Sequence, residues 1–176
     1  MMKTKTILLM STLLLVTACS SHPPVKTADY VDLQRFMGEW YVIASIPTFI
    51  EKEAYNPIET YRQNPDGTIA TTFRFNKGGF DGELTEYHPT GFIEDTQSNA
   101  VWKMQFVWPF KADYRIMHVS EDYSVTIIGR NKRDYVWLMA RSPQISDEEY
   151  TRMMQLIQQQ GYAISKVQKE PHRIDS

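Results

Sequence analysis

From residue 40 to residue 141 apolar and polar side chains alternate with a period of two, and turn residues interrupt the alternation at short intervals. That period belongs to strands with one face buried. The interruptions mark eight strands: 40–46, 58–64, 68–75, 82–88 (continued by Phe92 and Ile93), 101–108, 114–119, 124–130 and 135–141. Pro47 ends the first. Pro65-Asp66-Gly67, Asn76-Lys77-Gly78-Gly79 and Asn131-Lys132-Arg133-Asp134 turn the chain between later ones. No helical pattern falls between strands, so each pairs with its neighbour in sequence. The predicted fold class is all-β with one C-terminal helix: an eight-stranded antiparallel up-and-down β-barrel, wide enough to be filled by its own side chains or to hold one small ligand.

Two helical signals flank the strands. Residues 32–37 form a short turn leading into Gly38-Glu39-Trp40-Tyr41. After the last strand, Ser146 and Glu149 make a capping box. Tyr150, Met153, Met154 and Ile157 then fall on one helical face, and Gly161 supplies the stop. This helix is expected on the outside of the barrel, followed by a short strand at 163–167. In an up-and-down barrel of eight strands, the first strand starts where the eighth finishes. Trp40 and Arg141 therefore meet, with the indole closing the barrel floor and the guanidinium lying over it. Arg141 also has donors for carbonyls of the leading turn. Gly38 permits the tight approach to the first strand. These are structural roles.

The first 28 residues follow different rules. Lys3 and Lys5 precede the apolar runs 7–10 and 13–16, then Thr17-Ala18-Cys19. This is a signal-peptide pattern, too short for a comfortable transmembrane helix. Val16-Thr17-Ala18-Cys19 resembles a bacterial lipobox. The resemblance implies cleavage before Cys19 and lipidation of that cysteine, the only one in the chain. Ser20 after it implies sorting to the outer membrane, facing the periplasm. A plain signal peptide with a chance cysteine is the alternative. Each buried CH₂ of an acyl chain contributes about 0.8 kcal/mol, so a diacylglycerol cysteine with a further palmitate-like chain would anchor the protein stably. Residues 19–28 contain His22-Pro23-Pro24 and no apolar period, and are expected to be a tether.

Composition narrows the chemistry. Aromatic residues make up 12% of the chain, which favours strands. One cysteine excludes an intrachain disulfide and a dithiol redox centre. The histidines (His22, His88, His118, His172) show no metal-ligand spacing, so no metal and no cofactor are expected. A net charge of −2 gives no nucleic-acid footprint.

Taken together, Gly38-Glu39-Trp40-Tyr41, the Asp122-Tyr123 turn and Arg141 at the end of the eighth strand resemble the three motifs of the lipocalin family. The stretch Arg141-Ser142-Pro143 with Ile145-Ser146-Asp147-Glu148, and the lipobox, are similar to bacterial outer-membrane lipoprotein lipocalins. The resemblance spans 29–168 as the lipocalin domain, leaving 1–18 as signal peptide and 169–176 as a C-terminal tail. It implies binding, transport or storage of a hydrophobic ligand, with fatty acids or lysophospholipids expected.

With Trp40 and Arg141 set inward, the period of two points Val42 and Ala44 into the lumen from the first strand, and Tyr135, Trp137 and Met139 from the eighth. The fifth contributes Trp102, Met104 and Phe106. The family resemblance orients the remaining strands, giving Thr71 and Phe73, then Tyr114, Ile116 and His118, then Val125 and Ile127, with Glu59 a polar candidate. A one-residue slip would reverse any of these. The mouth, opposite Trp40, carries Phe49, Ile50, Phe80, Trp108 and Phe110 beside Arg130, Lys132 and Arg133. Such a rim suits lipid. A lid over the opening and a homodimer interface are the competing readings of the rim. A lumen filled by its own aromatics would make the chain a structural envelope lipoprotein. An enzyme is not expected: no Gly-x-Ser-x-Gly or other nucleophile motif is present, and only His118 is nominated for the lumen.

Overall fold

The computed structural model describes residues 23–174. A short helix α1 (Leu33–Phe36), capped by the Asp32 side chain on the Gln34 and Arg35 amides, leads into β1 (Gly38–Ile46). The strands that follow are β2 (Ala54–Gln63), β3 (Ile69–Lys77), β4 (Leu84–Tyr87), β5 (Thr90–Ile93), β6 (Val101–Val107), β7 (Phe110–Val119), β8 (Val125–Gly129) and β9 (Val136–Ala140). Each pairs antiparallel with the next in the barrel, and β9 returns to pair with β1. β4 and β5 both pair with β3 and together make one barrel strand, so the closed wall is eight strands around. Helix α2 (Asp147–Gln159) follows, N-capped by Ser146 Oγ on the Glu149 amide.

The floor end is fixed by packing and by hydrogen bonds. Gly38 has a φ of +96°, a conformation open to glycine, and a Cβ there would come within 3.3 Å of Arg141 Nη1. Trp40 is fully buried, its indole N–H donating to Phe36 O at 2.8 Å. The Arg141 guanidinium lies 3.7 Å from the indole centroid. Its nitrogens donate to the carbonyls of Arg35, Phe36, Met37 and Glu39 at 2.6–3.1 Å. A single side chain thus satisfies the C-terminal carbonyls of α1, which the helix leaves without partners. The Asp122-Tyr123 turn grips the same helix from the other side. Tyr123 Oη accepts from the Asp32 amide at 2.8 Å, and the Arg35 guanidinium lies 4.1 Å above the Tyr123 ring. Asp122 accepts from Ser120 Oγ, Ser124 Oγ and the Ser124 amide, and these bonds hold its carboxyl down at about 2.

Two apolar layers result. One fills the barrel. The other lies between its outer wall and α2, where Met153 and Ile157 meet Ile43, Val125, Ile127, Val136, Leu138 and Ala140. Tyr162 locks the end of α2 to the wall, its hydroxyl donating to Arg130 O and accepting from the Arg130 amide. Gly129 makes room for that hydroxyl, which a Cβ would approach to 2.3 Å.

Both ends of the described chain differ from the sequence expectation. Residues 163–167 form not a strand but a 3₁₀ turn (Ile164–Lys166); the strand comes later, as β10 (Gln168–Lys169). It pairs with β1 at Ala44 and Ser45, where β2 has swung away through an irregularity between Tyr55 and Ile58. The tail beyond it closes this seam: the Glu170 amide donates to Ile43 O and Asn56 N to Pro171 O. At the other end, the tether expected over 19–28 is attached to the barrel from residue 23 onward. Arg133 Nη2 donates to Pro23 O, Val25 is buried with its amide on Asn131 Oδ1, and the Ala28 amide donates to Ile116 O. Residues 1–22, with the proposed leader and Cys19, lie outside the described residues.

Replacing Arg141 by Lys keeps the charge but not the planar fork that reaches four carbonyls. Arg141→Lys should lower stability by about 2 kcal/mol in urea unfolding, several net hydrogen bonds at ~1 kcal/mol each being only partly replaced. Trp40→Ala should cost about 3–5 kcal/mol in the same measurement, as for other buried aromatics.

Candidate functional site

The lumen begins above a floor of packed rings. Phe36, Trp40, Tyr61, Trp102 and Tyr114 contact one another with centroids 5.2–6.5 Å apart. Tyr61 and Tyr114 share a 2.5 Å hydroxyl hydrogen bond, and Trp102 donates to Asn99 O at 2.7 Å. Of the residues expected in the lumen, the structure brings Val42, Phe73, Trp102, Met104, Tyr114, Ile116 and Met139 into one buried cluster, with Trp137 packed against it. Thr71 joins through its hydroxyl, 3.8 Å from Met104 Sδ.

Six nominated residues lie elsewhere. Ala44, Val125 and Ile127 belong to the outer layer under α2. His118 pairs with Ile127 and faces a groove of about 480 Å³ between α2 and the strap of residues 26–30. Burial, then Arg152, pushes its pKa down. Tyr135 precedes β9 and packs against the outer layer, 5.3 Å from the Arg130 guanidinium. Phe106 is 50% exposed at the tip of the β6–β7 hairpin.

Three of them, Ala44, His118 and Phe106, share one physical reason. β1 has an irregularity between Val42 and Ala44, and β7 has one between Ile116 and His118. Each inserts a residue and reverses every side chain beyond it. β8 has no polar face at all, since all five of its residues are buried, between lumen on one side and α2 on the other. Its inward residues are Thr126 and Ile128, opposite Met139 and Trp137. Phe106 is displaced by a third irregularity, between Met104 and Val107.

Several lumen residues were absent from the sequence list. Phe75, Ile69, Tyr61 and Ile128 are buried in the cluster. Their alternation with Arg74, Ala70 and Arg62 in β3 and β2 was the available signal for the first three. Three carboxyls also face the interior. Glu59 pairs with Trp40 and Phe73 across the sheet, and its Oε2 has no hydrogen-bond partner. Burial, then the Glu51 carboxylate, pushes its pKa up to about 8. Glu51, on the β1–β2 connection, is folded inward, accepting from Trp137 Nε1 at 2.7 Å and from the Thr48 amide at 2.6 Å. Glu170 accepts from Ser45 Oγ at 2.5 Å. Burial raises it to about 7 against that hydrogen bond, with Glu51 adding.

The mouth lies at the end opposite Trp40, where the connections 47–53, 78–83, 108–109 and 130–135 emerge. Phe49, Trp108 and Phe110 are 82%, 81% and 77% exposed there. Ile50 and Phe80 are half-buried, Phe80 meeting Tyr55 edge-on and the Arg173 guanidinium.

A closed barrel with an aromatic floor, a mainly apolar interior and an apolar mouth defines the class: a calyx. The lipocalin-like domain family matches residues 31–172, and the chain belongs to this family. It is 31% identical over 150 residues to temperature-induced lipocalin-1 of Arabidopsis thaliana, covering 80% of this chain and 79% of that one. It is 30% identical over 159 residues to the outer membrane lipoprotein Blc of Citrobacter freundii, covering 87% and 88%. Among solved structures, insecticyanin from Manduca sexta superposes with a TM-score of 0.66 at 15% identity over 84% of each chain. Lipocalins are in general binding proteins rather than enzymes.

Glu59 gives a pH dependence. Between its ordinary value of 4.5 and about 8 the folded chain keeps a proton that the unfolded chain releases. Stability from this group is therefore full below pH 4.5 and lost as pH rises through 8. Glu59→Gln should remove that slope in thermal melts, stabilising the protein at pH 8–9 by on the order of a few kcal/mol and leaving pH 4 nearly unchanged. Separately, Trp137→Phe removes the indole donor that Glu51 uses. Amide hydrogen exchange over 48–54 should accelerate about tenfold, the equivalent of one hydrogen bond of ~1.4 kcal/mol.

Proposed function

We propose that this lipocalin is lipid-anchored through Cys19 at the outer membrane, facing the periplasm, and that it binds and transports or stores fatty acids or lysophospholipids in the cell envelope. The observation that carries this reading is an apolar interior below an apolar rim. Val42, Phe73, Phe75, Met104 and Met139 are buried inside the barrel, and Phe49, Trp108 and Phe110 are exposed at its mouth. An acyl chain lies along that wall above the ring-filled floor, with its polar head at the mouth. Glu59 and Glu51 favour this polarity, because a fatty-acid carboxylate driven down beside them would lose its solvation next to two carboxyls. The bacterial relatives named as outer membrane lipoproteins support the location. The role is binding, with no catalytic step; His118, the one imidazole nominated for the lumen, lies on the outer wall.

A second reading is favoured by the floor itself. Five rings occupy the lower barrel, and a fully self-filled lumen would leave a structural envelope lipoprotein with no ligand. Purified protein carrying Cys19→Ser, denatured and extracted for lipid mass spectrometry, separates the two. Stoichiometric fatty acid or lysolipid is expected. A barrel that is empty and also takes up no lipid in solution sinks the leading reading. Phe110→Asp combined with Trp108→Ser should slow uptake of a fluorescent fatty acid while leaving the melting temperature unchanged, since both side chains are exposed.

A further inference from the structure

We propose that the barrel stands mouth-down on the bilayer that holds its anchor, with the tips of the 47–53 and 106–110 connections set into the headgroup layer. This rests on the Cys19 anchor proposed above and adds an orientation and a contact surface to it.

The first observation is where the described chain begins. Pro23 and Val25 are held by Arg133 and Asn131, two residues of the β8–β9 turn at the mouth. From there the strap runs toward the floor, with the Ala28 amide on Ile116 O and the Val31 amide on Ser98 O. The segment before residue 23 therefore departs from the mouth end. Cys19 is four residues upstream. Even fully extended, four residues reach only about 13 Å. The barrel is longer than that: the nine residues of β1 span about 30 Å from floor to mouth. The anchor therefore reaches the bilayer from the mouth side, and the floor is held away from it.

The second observation is what the mouth presents. Phe49, Phe106, Val107, Trp108 and Phe110 are all at least half exposed, and Leu84 stands at the same end with 59% exposure. Of the large apolar side chains exposed among the described residues, Tyr30 lies elsewhere, while Ile174 follows Arg173, which Asp81 of the 78–83 connection holds at the mouth end. Four of these residues share one hairpin tip, where aromatic rings are suited to the boundary between headgroups and acyl chains. The exposed Lys132 stands at the same end, a cation suited to lipid phosphate. A second copy of the chain could cover the rim instead. The bilayer is favoured because the anchor already holds Pro23, at the mouth end, within about 13 Å of it, which gives the rim a high effective concentration there. Ligand then passes between membrane and lumen without crossing water.

The test uses the lipidated protein in vesicles of phosphatidylethanolamine and phosphatidylglycerol with brominated acyl chains. Trp40 and Trp102 are fully buried and Trp137 half-buried, so bromine reaches chiefly Trp108. Quenching is expected in the native chain and mostly lost in Trp108→Phe. Nitroxide labels placed through Phe110→Cys and Asp66→Cys report the two ends, since Cys19 carries lipid and Asp66 lies on the exposed β2–β3 turn at the floor. Shielding of the Phe110 label from an aqueous relaxation agent, with the Asp66 label open, supports the proposal. Shielding at Asp66, or none at Phe110, overturns it. Shielding at Phe110 that persists without vesicles, in protein that sediments as a dimer, also overturns it, in favour of a copy-to-copy interface. Lipid extracted from the same protein is quantified in parallel. Ligand present without docking defeats the orientation alone; docking without ligand defeats the lumen reading alone.

Discussion

Much of the structure depends on Arg141. Its guanidinium lies on the Trp40 indole and takes up four carbonyls of the segment that enters the barrel. β1 and β9 form the closing seam, and Arg141 stands just beyond the end of β9, directly over the start of β1. One residue therefore ties the first strand, the last strand and the leading helix. Burial lowers its pKa, but an arginine stays charged throughout, so the clamp holds across the physiological pH range. Packing in the floor follows from it. With Trp40 fixed, Phe36 packs against it, and Tyr61, Trp102 and Tyr114 pack in turn from Phe36.

The floor leaves function to the other end. Rings occupy the lower barrel, so the proposed ligand site is the apolar wall above them, toward the mouth. Glu51 reaches back from the β1–β2 connection to Trp137, placing a polar latch across an otherwise apolar opening. Phe49, two residues earlier on the same connection, points outward to solvent. The two neighbours thus face opposite ways, one holding the loop to the barrel and one available to lipid.

How much could be read from the sequence varied with the symmetry of each strand's surroundings. β3 alternates cleanly because one face meets the lumen and the other meets solvent, so Thr71 and Phe73 were legible. β8 carries Val125, Thr126, Ile127, Ile128 and Gly129, all buried, because α2 covers the face that would otherwise be polar. A strand apolar on both sides holds no parity information. Ala44 and His118 were misplaced for another reason: each follows an irregularity that adds a residue to its strand. Neither irregularity is marked by glycine or proline, so no local signal announced them.

By itself the sequence determined the closed meander, the partnership of Trp40 and Arg141, the outer helix and the apolar mouth. All of these follow from period, turn chemistry and the arithmetic of an even number of antiparallel strands. Only the tertiary structure decided which face of β8 and of the far ends of β1 and β7 meets the lumen, since that depends on bulges and on what covers the wall. It alone also placed Glu59 beside Trp40, brought the tail into the β1–β2 seam and laid residues 23–28 along the wall. The tail and 23–28 contacts join residues about ninety or more positions apart, through hydrogen bonds that no local pattern encodes.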